Sequence, residues 1–247
     1  MSAVTVNTGS GTSFYGFTDI DFCGFTVSVD GKHIYLAVQS LPSTDVAFTN
    51  ELRAINAADG TTVLWAFTGS LSSISSSIIT SPDGKAVYIS QSGETSTDLA
   101  QISAVNTVDG TAIWESTIIC TGSVSFCQSM APLTQSPLLR AVSPDSSVIF
   151  ASATNGWYTA VNATTGKMKW QVKHRTSGGM SNLDQDGTRF VATTASGRNP
   201  GQPDRGYIFV LDTLMDKNGY VNSNNNVGQL WQSAYLDTLA YVLNDER

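Results

Sequence analysis

The sequence predicts an all-β fold of repeated four-stranded blades, a β-propeller, on two recurring elements and the distance between their copies. The first element is Ala54-Ile55-Asn56-Ala57-Ala58-Asp59-Gly60-Thr61-Thr62-Val63-Leu64-Trp65. It returns as Ala104-Val105-Asn106-Thr107-Val108-Asp109-Gly110-Thr111-Ala112-Ile113-Trp114 and as Ala160-Val161-Asn162-Ala163-Thr164-Thr165-Gly166-Lys167-Met168-Lys169-Trp170. A fourth, decayed copy opens at Val210-Leu211-Asp212-Thr213 and reaches its tryptophan, Trp231, only after an insertion. Copies start 50, 56 and 50 residues apart, a blade's length rather than a helical repeat's.

Each copy predicts strand, tight turn, strand. The apolar pair before Asn or Asp ends one strand, and Gly60, Gly110 and Gly166 accept the positive φ that a short hairpin demands. The tryptophan then falls on the returning strand at a nearly fixed offset. A bulky ring repeated once per unit is explained as a wedge buried between neighbouring sheets, which assigns structural roles to Trp65, Trp114, Trp170 and Trp231.

The second element is a turn followed by an alternating apolar strand. It occurs at Val27 to Leu36, Ser81 to Ile89, Ser143 to Phe150 and Leu183 to Val191, with the turn Asp residues 53, 62 and 41 positions apart. Together the elements make a blade: strand, Asp-Gly turn, strand with Tyr or Phe, loop, strand ending Ala-x-Asn, turn, strand with Trp. One domain over 1–247 follows, with blades near 26–77, 78–141, 142–181 and 182–235 and a tail at 236–247. In the tail, Leu236, Leu239, Ala240 and Leu243 keep helical spacing, so a short amphipathic helix competes there with a strand. The longest connection, Thr117 to Ala141, contains Leu138-Leu139 and is the irregular loop where a rigid scaffold most often carries a site.

Composition narrows the partners. A net charge of -7, a pI near 4.6 and the lack of a Lys/Arg cluster argue against nucleic acid and anionic membrane surfaces. No apolar run is long enough to span a bilayer, and Met1 to Ser13 show no signal-peptide core in this chain. Low Lys content with abundant Ser, Thr, Asn and Gly nevertheless favours an extracellular or periplasmic protein. Of three cysteines, Cys120 and Cys127 flank a polar Gly-containing loop and are spaced to close a small disulfide ring in an oxidising compartment; three reduced thiols, Cys23 included, are the alternative.

The motif Ala-x-Asn/Asp-x-x-Thr/Asp-Gly followed by Trp resembles the tryptophan-docking repeat of the PQQ-like (quinoprotein alcohol dehydrogenase-like) β-propellers, over roughly residues 26 to 235. The resemblance implies rings of seven or eight blades, so four units predict an incomplete ring: a segment of something longer, or a protomer that completes its ring by self-association. It also implies two functions. One is a non-catalytic binding or scaffold module for protein partners, as in outer-membrane assembly propellers, with no cofactor expected. The other is a fragment of a PQQ-dependent quinoprotein oxidoreductase acting on alcohols or sugars, which would require PQQ and Ca²⁺.

The residues lean away from the enzyme. The family's cofactor stacks on a pair of adjacent cysteines that this chain lacks, and the repeat tryptophans leave only Trp157 spare. Asn182-Leu183-Asp184-Gln185-Asp186-Gly187 opens like a calcium loop but has Thr193 where the bidentate carboxylate belongs. Asp216, Asn218, Asn222 and Asn224 place oxygen donors in the fourth unit's insertion, where a solvated Asn-rich loop is the favoured explanation over a metal site. His33 and His174 lie on predicted strands without a nucleophile elbow. Asn162-Ala163-Thr164 is a glycosylation sequon inside the repeat's turn. No catalytic, cofactor-binding or metal-ligating residue is therefore assigned.

Overall fold

The computed structural model describes residues 20–40, 50–69, 73–92, 101–117, 138–152, 157–173, 177–183, 187, 189–195, 206–212 and 229–232. Blade 1 comprises β1 (Ile20–Val27), β2 (His33–Ser40), β3 (Asn50–Asn56) and β4 (Val63–Thr68). Blade 2 comprises β5 (Ser73–Thr80), β6 (Ala86–Ser92), β7 (Gln101–Asn106) and β8 (Ala112–Thr117). Blade 3 comprises β9 (Leu138–Val142), β10 (Val148–Ser152), β11 (Trp157–Asn162) and β12 (Met168–Lys173), and blade 4 comprises β13 (Ser177–Leu183), β14 (Arg189–Ala195), β15 (Gly206–Asp212) and β16 (Gln229–Gln232). Each blade is an antiparallel meander whose strands pair in chain order.

The first strand of each sheet packs against the first strand of the next, β1 on β5, β5 on β9 and β9 on β13, so these four line the inside of the curve. Ser77 on β5 also donates its Oγ to the Leu139 carbonyl on β9, at 2.8 Å. Among the described residues β1 and β13 share no comparable contact, and the four blades form an open arc, an incomplete propeller. Leu138-Leu139, expected in a connection, instead opens β9. Leu139 pairs with Ala151 and is buried beside Ile149 and Ala151, so its apolar side chain is spent on the core.

The core is sliced between sheets. One cluster joins Tyr35, Leu52, Ala54, Trp65 and Phe67 of blade 1 to Ile74, Ile78, Val87 and Ile89 of blade 2. A second joins Tyr88, Ile102 and Ala104 of blade 2 to Ile149, Ala151 and Val161 of blade 3. The third joins Phe150, Tyr158 and Trp170 of blade 3 to Phe190 of blade 4. The three repeat alanines occupy like positions: Ala54, Ala104 and Ala160 are buried, each opposite its tryptophan across the ladder.

The turns explain the rest of the repeat. In the first hairpin of blades 1 to 3, Ser28, Ser81 and Ser143 donate Oγ to Asp30, Asp83 and Asp145 at 2.7, 2.6 and 2.6 Å. The same serine oxygens accept the N–H of His33, Ala86 and Val148, which begins the next strand. In the second hairpin, Asn56, Asn106 and Asn162 use Oδ1 to accept the N–H two residues on, and their carbonyls accept the N–H of Gly60, Gly110 and Gly166. The glycines sit at φ of 68°, 74° and 69°, where a Cβ is disfavoured. The sequon's Asn162 is thus a turn former.

Ser146 stands where blades 1 and 2 have Gly31 and Gly84, and at φ of 58° it is the non-glycine residue held left-handed among the described residues. It repays part of that cost across blades, its Oγ accepting the Asp83 N–H at 3.1 Å. Ser146→Ala keeps the strain and loses the bond, whereas Ser146→Gly loses only the bond. The Ala variant should therefore unfold at lower denaturant than the Gly variant, by about 1 kcal/mol.

The turn carboxylates set the acid limit. The Ser28 hydroxyl and the Lys32 N–H hold Asp30 at about 2, and the Thr62 hydroxyl with the Thr62 and Thr61 N–H groups holds Asp59 at about 2, against an ordinary 3.8. Asp83, Asp109 and Asp145 are lowered by like bonds, led by the Ser81 hydroxyl, the Thr111 N–H and the Ser143 hydroxyl. A carboxylate lowered on folding stabilises the fold above its unfolded pKa and loses that contribution as pH falls towards the folded value. Thermal melts should be insensitive to these groups at neutral pH, and Tm should drop between about pH 4 and pH 2.

Candidate functional site

The chemistry-bearing side chains converge on the seams between blades. Trp65, on β4 of blade 1, donates Nε1–H to the Thr107 carbonyl in the second turn of blade 2, at 3.0 Å. Its ring lies over Gly110, so close that a Cβ there would come within 2.6 Å of Cε3. Tyr35 stacks on the same indole with centroids 5.7 Å apart. Thr107 is the node of this seam: its hydroxyl donates to the Gly84 carbonyl at 2.8 Å, its N–H donates to the Lys85 carbonyl at 3.2 Å, and its side chain hydrogen-bonds the Tyr35 phenol. Burial first, and then the Asp30 charge, push the Tyr35 phenol up, against that hydrogen bond.

The next seam repeats the arrangement. Trp114 of blade 2 donates Nε1–H to the Ala163 carbonyl in the second turn of blade 3, at 2.8 Å, and Tyr88 stacks on it at 6.1 Å. Burial, with the Asp83 charge behind it, pushes the Tyr88 phenol up to about 12. These phenols stay protonated at any physiological pH. At the third seam Trp170 is buried against Phe150 at 6.0 Å, while Phe150 stacks on Phe190 of blade 4 at 5.3 Å and Tyr158 meets Phe190 edge-on at 5.9 Å. Gly166 is buried, whereas Gly60, in the corresponding turn of blade 1, has nothing within 4 Å of where a Cβ would stand.

In all four blades the ladder slips by one residue just before the tryptophan. Ala54, Ala104, Ala160 and Val210 face Trp65, Trp114, Trp170 and Trp231, but the next residue of each strand faces Val63, Ala112, Met168 and Gln229. The skipped residues Leu64 and Ile113 are exposed, as an unpaired bulge residue is. The bulge was not foreseen, although an apolar residue immediately before each tryptophan of blades 1, 2 and 4 was a signal for it. Trp231 shares the register despite its insertion; its side chain, like that of Trp157, lies outside the described residues.

Other residues singled out earlier do not gather. His33 lies on β2, half-buried, with its ring 6.2 Å from Tyr35. Thr193 is on β14, and among the described residues no three His, Cys, Asp or Glu side chains approach one another closely enough to hold a metal. Cys120, Cys127, His174, Asp184 to Asp186, Asp216 to Asn224 and the tail lie outside the described residues. Sequence reasoning missed Thr107 and Ala163, whose carbonyls receive the indoles. Each directly follows the turn Asn, and a backbone acceptor leaves no mark on residue identity.

Geometry separates two glycines of equal sequence rank. Gly60→Ala meets only the left-handed backbone cost of about 1 to 2 kcal/mol, whereas Gly110→Ala also drives a methyl into the Trp65 ring. Denaturant melts should show Gly110→Ala as clearly the more damaging. Trp65→Ala should cost about 3 to 5 kcal/mol.

The comparisons fit this architecture. The chain covers 83% of its own length and 49% of hydrazine synthase from Kuenenia stuttgartiensis, at a TM-score of 0.55 and 15% identity. It covers 85% of itself and 48% of Sqt1 from Chaetomium thermophilum, at 0.54 and 12%. These likenesses concern the fold alone, and the chain spans about half the length of either. No curated protein matches it significantly. The PQQ-like repeat model described as outer membrane protein assembly factor BamB matches residues 26–213. With three quarters of its length under that model, and Trp65 and Trp114 seated on the next blade's turn, the chain belongs to the PQQ-like repeat family of β-propellers.

Proposed function

We propose that this chain is a non-catalytic β-propeller module that binds or scaffolds a protein partner, with Trp65, Trp114, Trp170 and Trp231 docking blade upon blade. The observation that carries the reading is where the reactive side chains are spent. The serine, asparagine and aspartate oxygens of the repeated turns are engaged in holding those turns, and the buried aromatics fill the seams. Meanwhile Phe25, Val27, Val29, Val63 and Leu64 of blade 1 stand exposed on the surface. Apolar side chains left exposed outside a well-filled core fit contact with protein better than chemistry on a small molecule.

The matched family supports the same direction, since its description is of an assembly factor, a protein whose work is contact with others. A location outside the cytoplasm accords with that family and with the chain's low Lys and high Ser, Thr and Asn content.

The test is binding of the rival reading's cofactor. A ligand that binds the folded state raises Tm by mass action. PQQ with Ca²⁺ should leave Tm unchanged and confer no dye-linked oxidation of alcohols or sugars. A saturable rise in Tm with turnover would overturn the scaffold reading in favour of a quinoprotein oxidoreductase segment.

A further inference from the structure

We infer that Asn162 is the acceptor of an N-linked glycan; this goes beyond the scaffold reading and rests only on the location outside the cytoplasm proposed with it. The second turns of blades 1 to 3 read Asn56-Ala57-Ala58, Asn106-Thr107-Val108 and Asn162-Ala163-Thr164, and the third alone has, two residues on, the hydroxyl that the transfer requires. The repeat explains the asparagine. It does not explain the Thr164 hydroxyl, because the turn uses that residue through its backbone N–H, as it uses Ala58 and Val108.

The turn decides which atom is offered. Asn162 Oδ1 accepts the Thr164 and Thr165 N–H groups at 3.0 and 2.9 Å, and since only the oxygen of an amide accepts, the planar group is fixed with Nδ2 directed away from the loop. Among the described residues the buried side-chain atoms without a hydrogen-bond partner are Asn50 Oδ1 and Ser90 Oγ, so the unbonded Asn162 Nδ2 reaches the surface. Thr164 and Thr165 beside it are exposed. The packed side of the turn is the other one: Ala163 is buried, its N–H is bonded to the Ser147 carbonyl at 2.9 Å, and its own carbonyl receives the Trp114 indole. The fold thus buries the middle residue of the sequon and leaves its amide nitrogen and its threonine open, where a sugar stands clear of the seam.

Charge sets the same turn apart. Asp59 and Asp109 follow the asparagines of blades 1 and 2 and accept turn N–H groups, whereas blade 3 has Thr165 in that place and Lys167 where the others have Thr61 and Thr111. The sugar donor, an oligosaccharide joined to a lipid through a diphosphate, is an anion, and this turn has no carboxylate to repel it. In the transfer the bond from sugar C1 to the diphosphate oxygen breaks and a bond from C1 to Nδ2 forms. The lipid diphosphate leaves with the bonding pair, Nδ2 gives up one proton, and nothing is oxidised or reduced.

Expression of the chain in insect cells behind a secretion leader, with recovery from cells and medium, tests this by intact mass and peptide mapping. The wild-type chain should exceed its polypeptide mass by one glycan, and peptide-N-glycosidase should remove the excess and leave aspartate at position 162. Thr164→Ala should abolish the glycan while keeping the turn N–H, and Thr164→Ser should retain it. Asn162→Asp, which keeps an oxygen for the turn, should be bare and should match the enzyme-treated wild type in Tm, the two being the same polypeptide. A wild-type chain of bare polypeptide mass, or a glycan that survives Thr164→Ala, overturns the inference. Failure here is distinct from failure of the scaffold reading: a bare Asn162 leaves the response to PQQ untouched, and a rise in Tm with PQQ leaves the glycan where it is.

Discussion

The contact on which the structure depends is an indole laid across a glycine, with its N–H bonded to a backbone carbonyl of the next sheet. A four-stranded meander cannot cover its own two faces, so its stability comes from stacking on a neighbour. Aliphatic packing supplies most of the buried area but is indifferent to small slides. The Trp65 to Thr107 and Trp114 to Ala163 bonds fix where each sheet lies along the next. Gly110 beneath Trp65 makes room for that placement as well as bending its turn, so one residue satisfies two demands.

Those demands explain the motif letter by letter. In blades 1 to 3 a buried alanine faces the tryptophan across the ladder, where blade 4 has Val210. Asparagine adds a side-chain oxygen that accepts the N–H two residues on, and an apolar residue would leave that N–H unmet, while the carbonyl that takes the glycine N–H belongs to any residue. The bulge lets the returning strand aim its ring at the neighbour while its predecessor points to solvent. In the first hairpin the Ser-x-Asp pair does similar work with a hydroxyl and a carboxylate.

Much of this was legible beforehand because a repeat averages away accident. Four blades, their strand order and the burial of Trp65 and Trp170 followed from residues that recur. What stayed hidden was whatever leaves residue identity free. The carbonyls of Thr107 and Ala163 belong to any amino acid, and the β9 strand at Leu138 looked like loop because it is only five residues long and follows a long irregular connection. The exposure of Phe25 and Val27 was equally invisible, and the half-buried Ile34 and Leu36 are the same kind of residue as the buried Val87 and Ile89.

The open arc has a consequence for cooperativity. In a closed ring every blade is held on two sides, and opening one strains all the others. An arc behaves instead as a short one-dimensional array, in which free energy is a sum of blade terms and seam terms. Blades 2 and 3 each belong to two seams, whereas the end blades each belong to one. Hydrogen exchange in the four described blades is therefore expected to be slowest in blades 2 and 3, which sit in two seams each.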